Sequence, residues 1–175
     1  MSSLLIEDNV ELLNSAIRLI EQLDDETYSS RQLSGRQSGI GSHLRHALDH
    51  YQCFLNGLES GLVDYDQRLR LEQVETSRSF AKEFMTDIVN RLKSSRCYAA
   101  DLPLSVRMDS GTNHTSEEES VCHSSFGREL QFLVSHTVHH FAIIAIFCLL
   151  ANIDLPEGFG VAPSTLKHQA CARRA

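Results

Sequence analysis

The sequence has no tryptophan, three prolines and nine glycines among its 175 residues. A chain so poor in proline and glycine, with 42% hydrophobic residues, is neither collagen-like nor disordered. Its length is that of one domain, and such a chain can bury a core without disulfides or a metal. Basic residues are also few, with 16 Lys and Arg against 23 Asp and Glu. Because phosphate contacts need clustered basic side chains, we expect no nucleic-acid partner.

The usual marks of export and membrane insertion are missing as well. Glu7 and Asp8 stand where a signal peptide would have a basic and then an apolar region. The five cysteines are widely spaced and include no Cys-x-x-Cys pair, which is typical of free thiols in a reducing compartment. The most apolar run, residues 141–151, has 11 residues and is too short to span a bilayer. These features predict a cytoplasmic protein without a membrane partner.

Four stretches carry apolar residues at helical spacing, which predicts helices over about 6–24, 40–60, 71–93 and 125–152. Between the last two, residues 104–108 and 120–124 alternate around a polar turn at 109–113 and an acidic run at 117–119, which indicates a small β-hairpin. We therefore predict an all-α four-helix bundle over residues 1–158 with a long irregular third connection. Residues 159–175 are predicted to be a C-terminal tail, mostly loop with one helical turn, which is either part of the same domain or loose.

Histidine is the residue in excess, with nine copies. The predicted second and fourth helices hold six of them: His43, His46, His50, His136, His139 and His140. His136 and His140 lie four residues apart, so both imidazoles leave the same helix face one turn apart. That face also carries Leu133 and Phe147, so the pair is predicted to point inward. Two buried imidazoles without partners would cost about 1–3 kcal/mol each, and a shared divalent ion would satisfy both.

The second helix offers three candidates for a further ligand. Periodicity places His43 and His50 nearest its apolar side and His46 near the edge, so spacing slightly favours His43 or His50 without excluding His46. No Glu follows His136, so the metalloprotease pattern His-Glu-x-x-His is absent. Three imidazoles would leave a coordination position open, as in catalytic sites, and nitrogen ligands suit Zn, Ni, Fe or Cu.

Two segments carry a family resemblance: residues 40–50 (IGSHLRHALDH) and 128–140 (RELQFLVSHTVHH). Together they resemble the DinB-like superfamily, which includes the YfiT-type proteins and implies a four-helix bundle. Residues 63–68 and 159–166 are similar to a bacterial subgroup of that superfamily with no assigned activity. In related iron-dependent ergothioneine-pathway domains the ligand is the second His of a His-x-x-His step, here His46. The resemblance thus implies the metal ligands His46, His136 and His140.

The chain also departs from this pattern. It lacks the Trp that often precedes the helix-two motif in relatives, and it has extra histidines at 43, 50 and 139. These three are left open as groups that support the ligands, as a fourth ligand, or as replacements for His46. A thiolate ligand from Cys53 is a further alternative.

For function, the resemblance implies a metal-dependent transferase that uses a low-molecular-weight thiol, with a hydrolase as another enzymatic reading. A bound Zn, Ni or Fe ion would lower the thiol pKa and produce a nucleophilic thiolate, so a small thiol or an electrophile is the expected partner. Asp49 or Glu129 could orient a ligand imidazole, although Asp49 lies on the polar face and is expected to be solvated. Two alternatives remain: a non-catalytic metal-binding or stress-related interaction protein, and a dimerising bundle whose histidines are polar core residues without metal.

Overall fold

The computed structural model describes residues 2–31, 38–109 and 121–172. These residues form seven α-helices, three strands and a 3-10 helix at Ser95–Cys97. In chain order the elements are α1 Ser2–Gln22, α2 Asp25–Ser29, α3 Ile40–Gly57, β1 Leu62–Asp64, α4 Glu72–Thr76, α5 Arg78–Ser94, β2 Pro103–Arg107, β3 Val121–Ser125, α6 Phe126–Leu150 and α7 Pro163–Ala172.

The expectation of an all-α bundle is wrong. About 68% of the described residues are helical, but the three strands form a mixed sheet in the order β1-β2-β3. The two alternating stretches pair antiparallel as β2 and β3, and β1 joins β2 in parallel, with Leu62 opposite Ser105. Three residues are too few to show alternation, and the partner of β1 is distant in sequence, so periodicity does not reveal this strand. The turn and the acidic run predicted between the strands extend into residues 110–120, outside the described part.

The four long helices enclose the hydrophobic core. Helix α1 packs against α5 and α6, and α3 packs against α4, α5 and α6. The stripe predicted for α1 lies inside, with Ile6, Val10 and Leu13 all buried. Helix α6 begins where the sequence predicts, because the hydroxyl of Ser125 accepts a hydrogen bond from the backbone N–H of Arg128.

The predicted third helix and the predicted tail both differ from the structure. The stretch 71–93 is broken into α4 and α5, because Ser77 is extended and its hydroxyl caps α5 by accepting a hydrogen bond from the N–H of Phe80. In the tail, Pro163 begins the ten-residue helix α7, a position where its missing N–H costs nothing. The ring of Phe159, just before it, is buried and stacks on Phe141 with ring centroids 4.7 Å apart. The expectation of a mostly irregular tail is therefore wrong.

Helix α6 is long and apolar enough, by length and composition alone, to cross a membrane. The core helix of a soluble protein passes the same test, and α6 packs against α1 and α3. Its exposed apolar residues, Ile146, Leu149 and Leu150, lie together near its C-terminal end.

A buried polar network joins α1, α3 and α6. The hydroxyl of Tyr51 donates to Asn9 Oδ1 over 2.8 Å and accepts from Thr137 Oγ1 over 3.2 Å. Asn9 Nδ2 in turn donates to the backbone oxygen of Leu130 over 3.1 Å. Because these groups are fully buried, they must find partners among one another, and this fixes α3 and α6 relative to α1.

Candidate metal centre

The packing of α3 against α6 brings their histidines together. Helical spacing places the histidines of each element on adjoining turns, and the two sets face each other across the contact. Ring centroids are 4.6 Å apart for His46 and His140, 5.1 Å for His46 and His136, and 4.7 Å for His136 and His140. The three residues predicted as ligands are thus neighbours in space.

His50 belongs to the same group. The ligand nitrogens of His46, His50 and His136 all lie within 4.8 Å of one another, and the rings of His50 and His136 are only 3.9 Å apart. His50 Nδ1 lies 2.9 Å from the backbone oxygen of His46. Because a carbonyl oxygen only accepts, Nδ1 carries the proton and Nε2 keeps a lone pair, as in most histidines that bind a metal. His50 is one of the alternatives that periodicity had favoured on this helix.

His43 and His140 make a separate contact. Their Nδ1 atoms are 3.0 Å apart, so one ring donates to the other. This pair occupies one nitrogen of the predicted ligand His140. His139 also contacts the ring of His140, at 5.1 Å, but its side chain is exposed.

The imidazoles of the group are neutral at neutral pH. Burial first, and then the neighbouring histidines, lower the pKa of His136 and of His140 to about 3. The pKa of His46 falls to about 4 for the same reasons, with a contribution from the charge of Arg68. A neutral ring is the form that binds metal. In addition, His136 Nδ1 is buried and has no hydrogen-bond partner within the described residues, which is the condition a bound ion would relieve.

Glu129 supports the group indirectly. This buried carboxylate accepts hydrogen bonds from Tyr65 Oη, over 2.7 Å, and from Ser124 Oγ. Burial and the carboxylate raise the pKa of Tyr65 above its usual range, so its hydroxyl remains a donor. The ring of Tyr65 stacks on His50 at 5.4 Å. Glu129 is therefore bonded to Tyr65, which packs against His50. A direct hydrogen bond from Glu129 to a ligand imidazole, which the sequence led us to expect, is not among these contacts.

Two other nearby residues are occupied elsewhere. Asp49 is buried and accepts from Arg45 Nη1 over 2.9 Å and from the backbone N–H of Arg70 over 3.2 Å, so the expectation of a solvated side chain is wrong. Burial raises the pKa of Cys53 to about 11, and its thiol donates to the carbonyl of Gln67. Among the described residues, the ligand atoms that converge are those of His46, His50 and His136, and Cys53 is not in that group, which disfavours the thiolate alternative.

Arg68 is a residue near the site that no sequence pattern singles out. Its Nη1 lies 3.4 Å from His46 Nδ1, and its Nε is buried without a hydrogen-bond partner among the described residues. The only sequence signal was its place in the segment 63–68.

Within this histidine-rich group, the nitrogens of His46, His50 and His136 are close enough together that they could hold a metal ion. Among known proteins, the chain is similar to FK506-binding protein 5 of Rhizopus delemar, with 35% identity over 109 residues. The match covers 61% of this chain and 27% of that protein, so the chain spans about a quarter of the length of the relative. No protein-family model matches the chain, and no solved structure matches it.

This similarity corrects the family assignment. The relative bears the name of a different family and comes from Rhizopus delemar, not from a bacterium, so the resemblance to a bacterial DinB-like subgroup is wrong. The thiol-transferase activity, which rested on that resemblance, is wrong with it. The resemblance was misleading because it rested on pairs such as His43 and His46, or His136 and His140. Such pairs follow helical periodicity, which helices of unrelated proteins also have.

Proposed function

We propose that the chain binds a divalent transition metal ion between α3 and α6, through His46, His136 and a third imidazole. The observation that carries the proposal is the convergence of the His46, His50 and His136 nitrogens within 4.8 Å. On this geometry His50 is the third ligand, while His140, the ligand predicted from sequence, is the competing choice. Both proposed ligand sets take residues from α3 and α6, so the ion would join the two helices.

The chemistry of the donors supports a transition metal. All candidate ligands are imidazole nitrogens, which suit Zn, Ni and Fe, whereas Mg and Ca prefer oxygen. The lowered pKa values of His46 and His136 mean that little proton release opposes binding at neutral pH. Three such ligands would leave a tetrahedral ion one open position.

Elemental analysis of the chain, purified without an affinity tag, tests the proposal. We expect a single bound transition metal ion in the wild type and its loss in His136→Ala. His168→Ala, which removes an exposed histidine on α7, is the matched control and should keep the ion. Equal metal content in wild type and His136→Ala would refute the site.

A second candidate function is binding of FK506, and the 35% identity to a protein named for that ligand favours it. Because the matched region is 27% of the relative, FK506 binding by this chain is a proposal. Isothermal titration of the chain with FK506 tests it, with an established FK506-binding domain as positive control. We expect saturable binding of FK506 by the chain. If the control domain binds FK506 and the chain gives no heat of binding, this second candidate function is wrong.

A further inference from the structure

Arg68 places a positive charge beside the proposed cation site. Its Nη1 approaches His46 Nδ1 to 3.4 Å, and its buried Nε has no partner in the described parts of the chain. Within those same parts, Arg68 forms no ion pair with a carboxylate, unlike the neighbouring Arg45, which pairs with Asp49. A guanidinium stays charged at any ordinary pH, so it would repel a divalent ion bound to the histidines.

Two carboxylates, those of Asp49 and Asp66, act on this region through their charge, but within the described residues neither forms an ion pair with Arg68. Asp49 accepts from Arg45 and from a backbone N–H, and Glu129 accepts from Tyr65 and Ser124. An ion held by imidazoles alone would therefore add its charge to that of Arg68, and desolvated like charges are costly.

We propose that Arg68 holds a small carboxylate ligand against the metal ion of the histidine group. The inference rests on the proposed function, since the carboxylate would take the coordination position that three imidazoles leave open. A carboxylate has two oxygens, so one can bind the ion while the other accepts from the guanidinium. Its planar shape also matches the fork of N–H donors, which includes the unpartnered Nε.

Arg68 lies in an exposed stretch of chain. The residues flanking Arg68 on either side, Asp66, Gln67 and Leu69, are all exposed. Arg68 itself is half-buried, so a part of its side chain faces solvent at this stretch while Nε lies inside.

Linked binding of Co²⁺ and acetate tests the inference. The Co²⁺ affinity of the metal-free chain is measured by visible absorption in acetate and in acetamide, the neutral analogue of similar size. We expect acetate to tighten Co²⁺ binding by about tenfold in the wild type, within the usual range for coupled ligands. In Arg68→Gln the gain should disappear, and Co²⁺ binding in acetamide should be equal or tighter because a repelling charge is gone.

Two further variants sharpen the result. Arg70→Gln removes an equal charge from an exposed side chain and should keep the acetate effect, while Arg68→Lys should keep part of it. The inference fails if acetate and acetamide give equal affinities in the wild type, or if Arg68→Gln keeps the full gain. A wild type that binds no Co²⁺ at all would instead refute the metal site, and this inference with it.

Discussion

At the scale of single residues, the choice of the third metal ligand depends on which nitrogens are already engaged. His50 Nδ1 donates to the backbone carbonyl of His46, so the Nε2 atom of His50 carries the lone pair that could bind a metal ion. His140 shares its Nδ1 with His43 at 3.0 Å. Hydrogen-bonded partners of this kind orient metal ligands in proteins. The carbonyl can only accept and so fixes the tautomer of His50, whereas either ring of the His43–His140 pair can be the donor, so this contact does not fix the tautomer of His140.

We expect His50→Gln to weaken metal binding by at least about tenfold, and His140→Gln to weaken it less, because only His50 lies with His46 and His136 in the tightest group. Competition with a chelator of known affinity measures both. The reverse order would restore the ligand set predicted from sequence, and His139→Gln serves as an exposed control.

A second residue-scale prediction concerns Tyr65. Tyr65→Phe removes one of the two side-chain donors to the buried Glu129 carboxylate, so the free energy of unfolding should fall by about 1–3 kcal/mol in urea titration. Tyr98→Phe is the matched control, since the contact of the Tyr98 side chain within the described residues is the packing of its ring on Phe126, with no hydrogen bond from its hydroxyl. Equal losses in the two variants would contradict a special role for the Tyr65 hydroxyl.

At the scale of elements, the site depends on close approach of helices. The α3 residue Gly41 faces the backbone of α4, and a Cβ built there would lie 2.1 Å from the carbonyl oxygen of Glu75. Glycine is required at this point by space, not by an unusual φ. The contact also sets the position of α3, which carries three of the clustered histidines.

Gly41→Ala should therefore lower the free energy of unfolding by about 1–3 kcal/mol, the usual cost of overpacking. The result is informative because alanine has the higher helix propensity, by about 1 kcal/mol, and would otherwise stabilise α3. Thermal and urea unfolding measure the change. A variant as stable as the wild type would show that α3 and α4 separate without cost.

At the scale of the whole molecule, stability should depend on pH through the buried histidines. In the unfolded chain each takes up a proton near its ordinary pKa of 6.5, whereas folding lowers the pKa of His46 to about 4 and that of His136 to about 3. Between these values the unfolded state binds more protons, so stability rises with pH across this window.

For the metal-free protein we therefore expect urea midpoints that are constant above about pH 7.5 and fall steadily from pH 6.5 toward pH 4. His136→Gln should reduce the slope, because it removes one group that protonates only on unfolding. An unchanged slope in that variant would contradict the burial of His136 in the folded protein. A urea midpoint that rises as the pH falls would contradict the predicted direction of the pH dependence.

The helices and the meeting of the histidines follow largely from the order of residues. Periodicity locates α1, α3 and α6, and Ser125 marks the start of α6, because these signals are local. The inward direction of His140 was predictable for the same reason, since it shares its helix face with apolar residues. Similar local signals also led to the wrong family, because helical histidine pairs are not specific to one fold.

What local signals could not provide is any contact between distant segments. The parallel pairing of β1 with β2, the approach of Arg68 to His46 and the bond from Tyr65 to Glu129 each join residues far apart in the chain. No spacing encodes these contacts, since they depend on how packed helices and strands orient one another. The sequence by itself therefore determined that histidines are in excess and that they lie on two helices. The packing of those helices decided which imidazole nitrogens come together and placed the charge of Arg68 beside them.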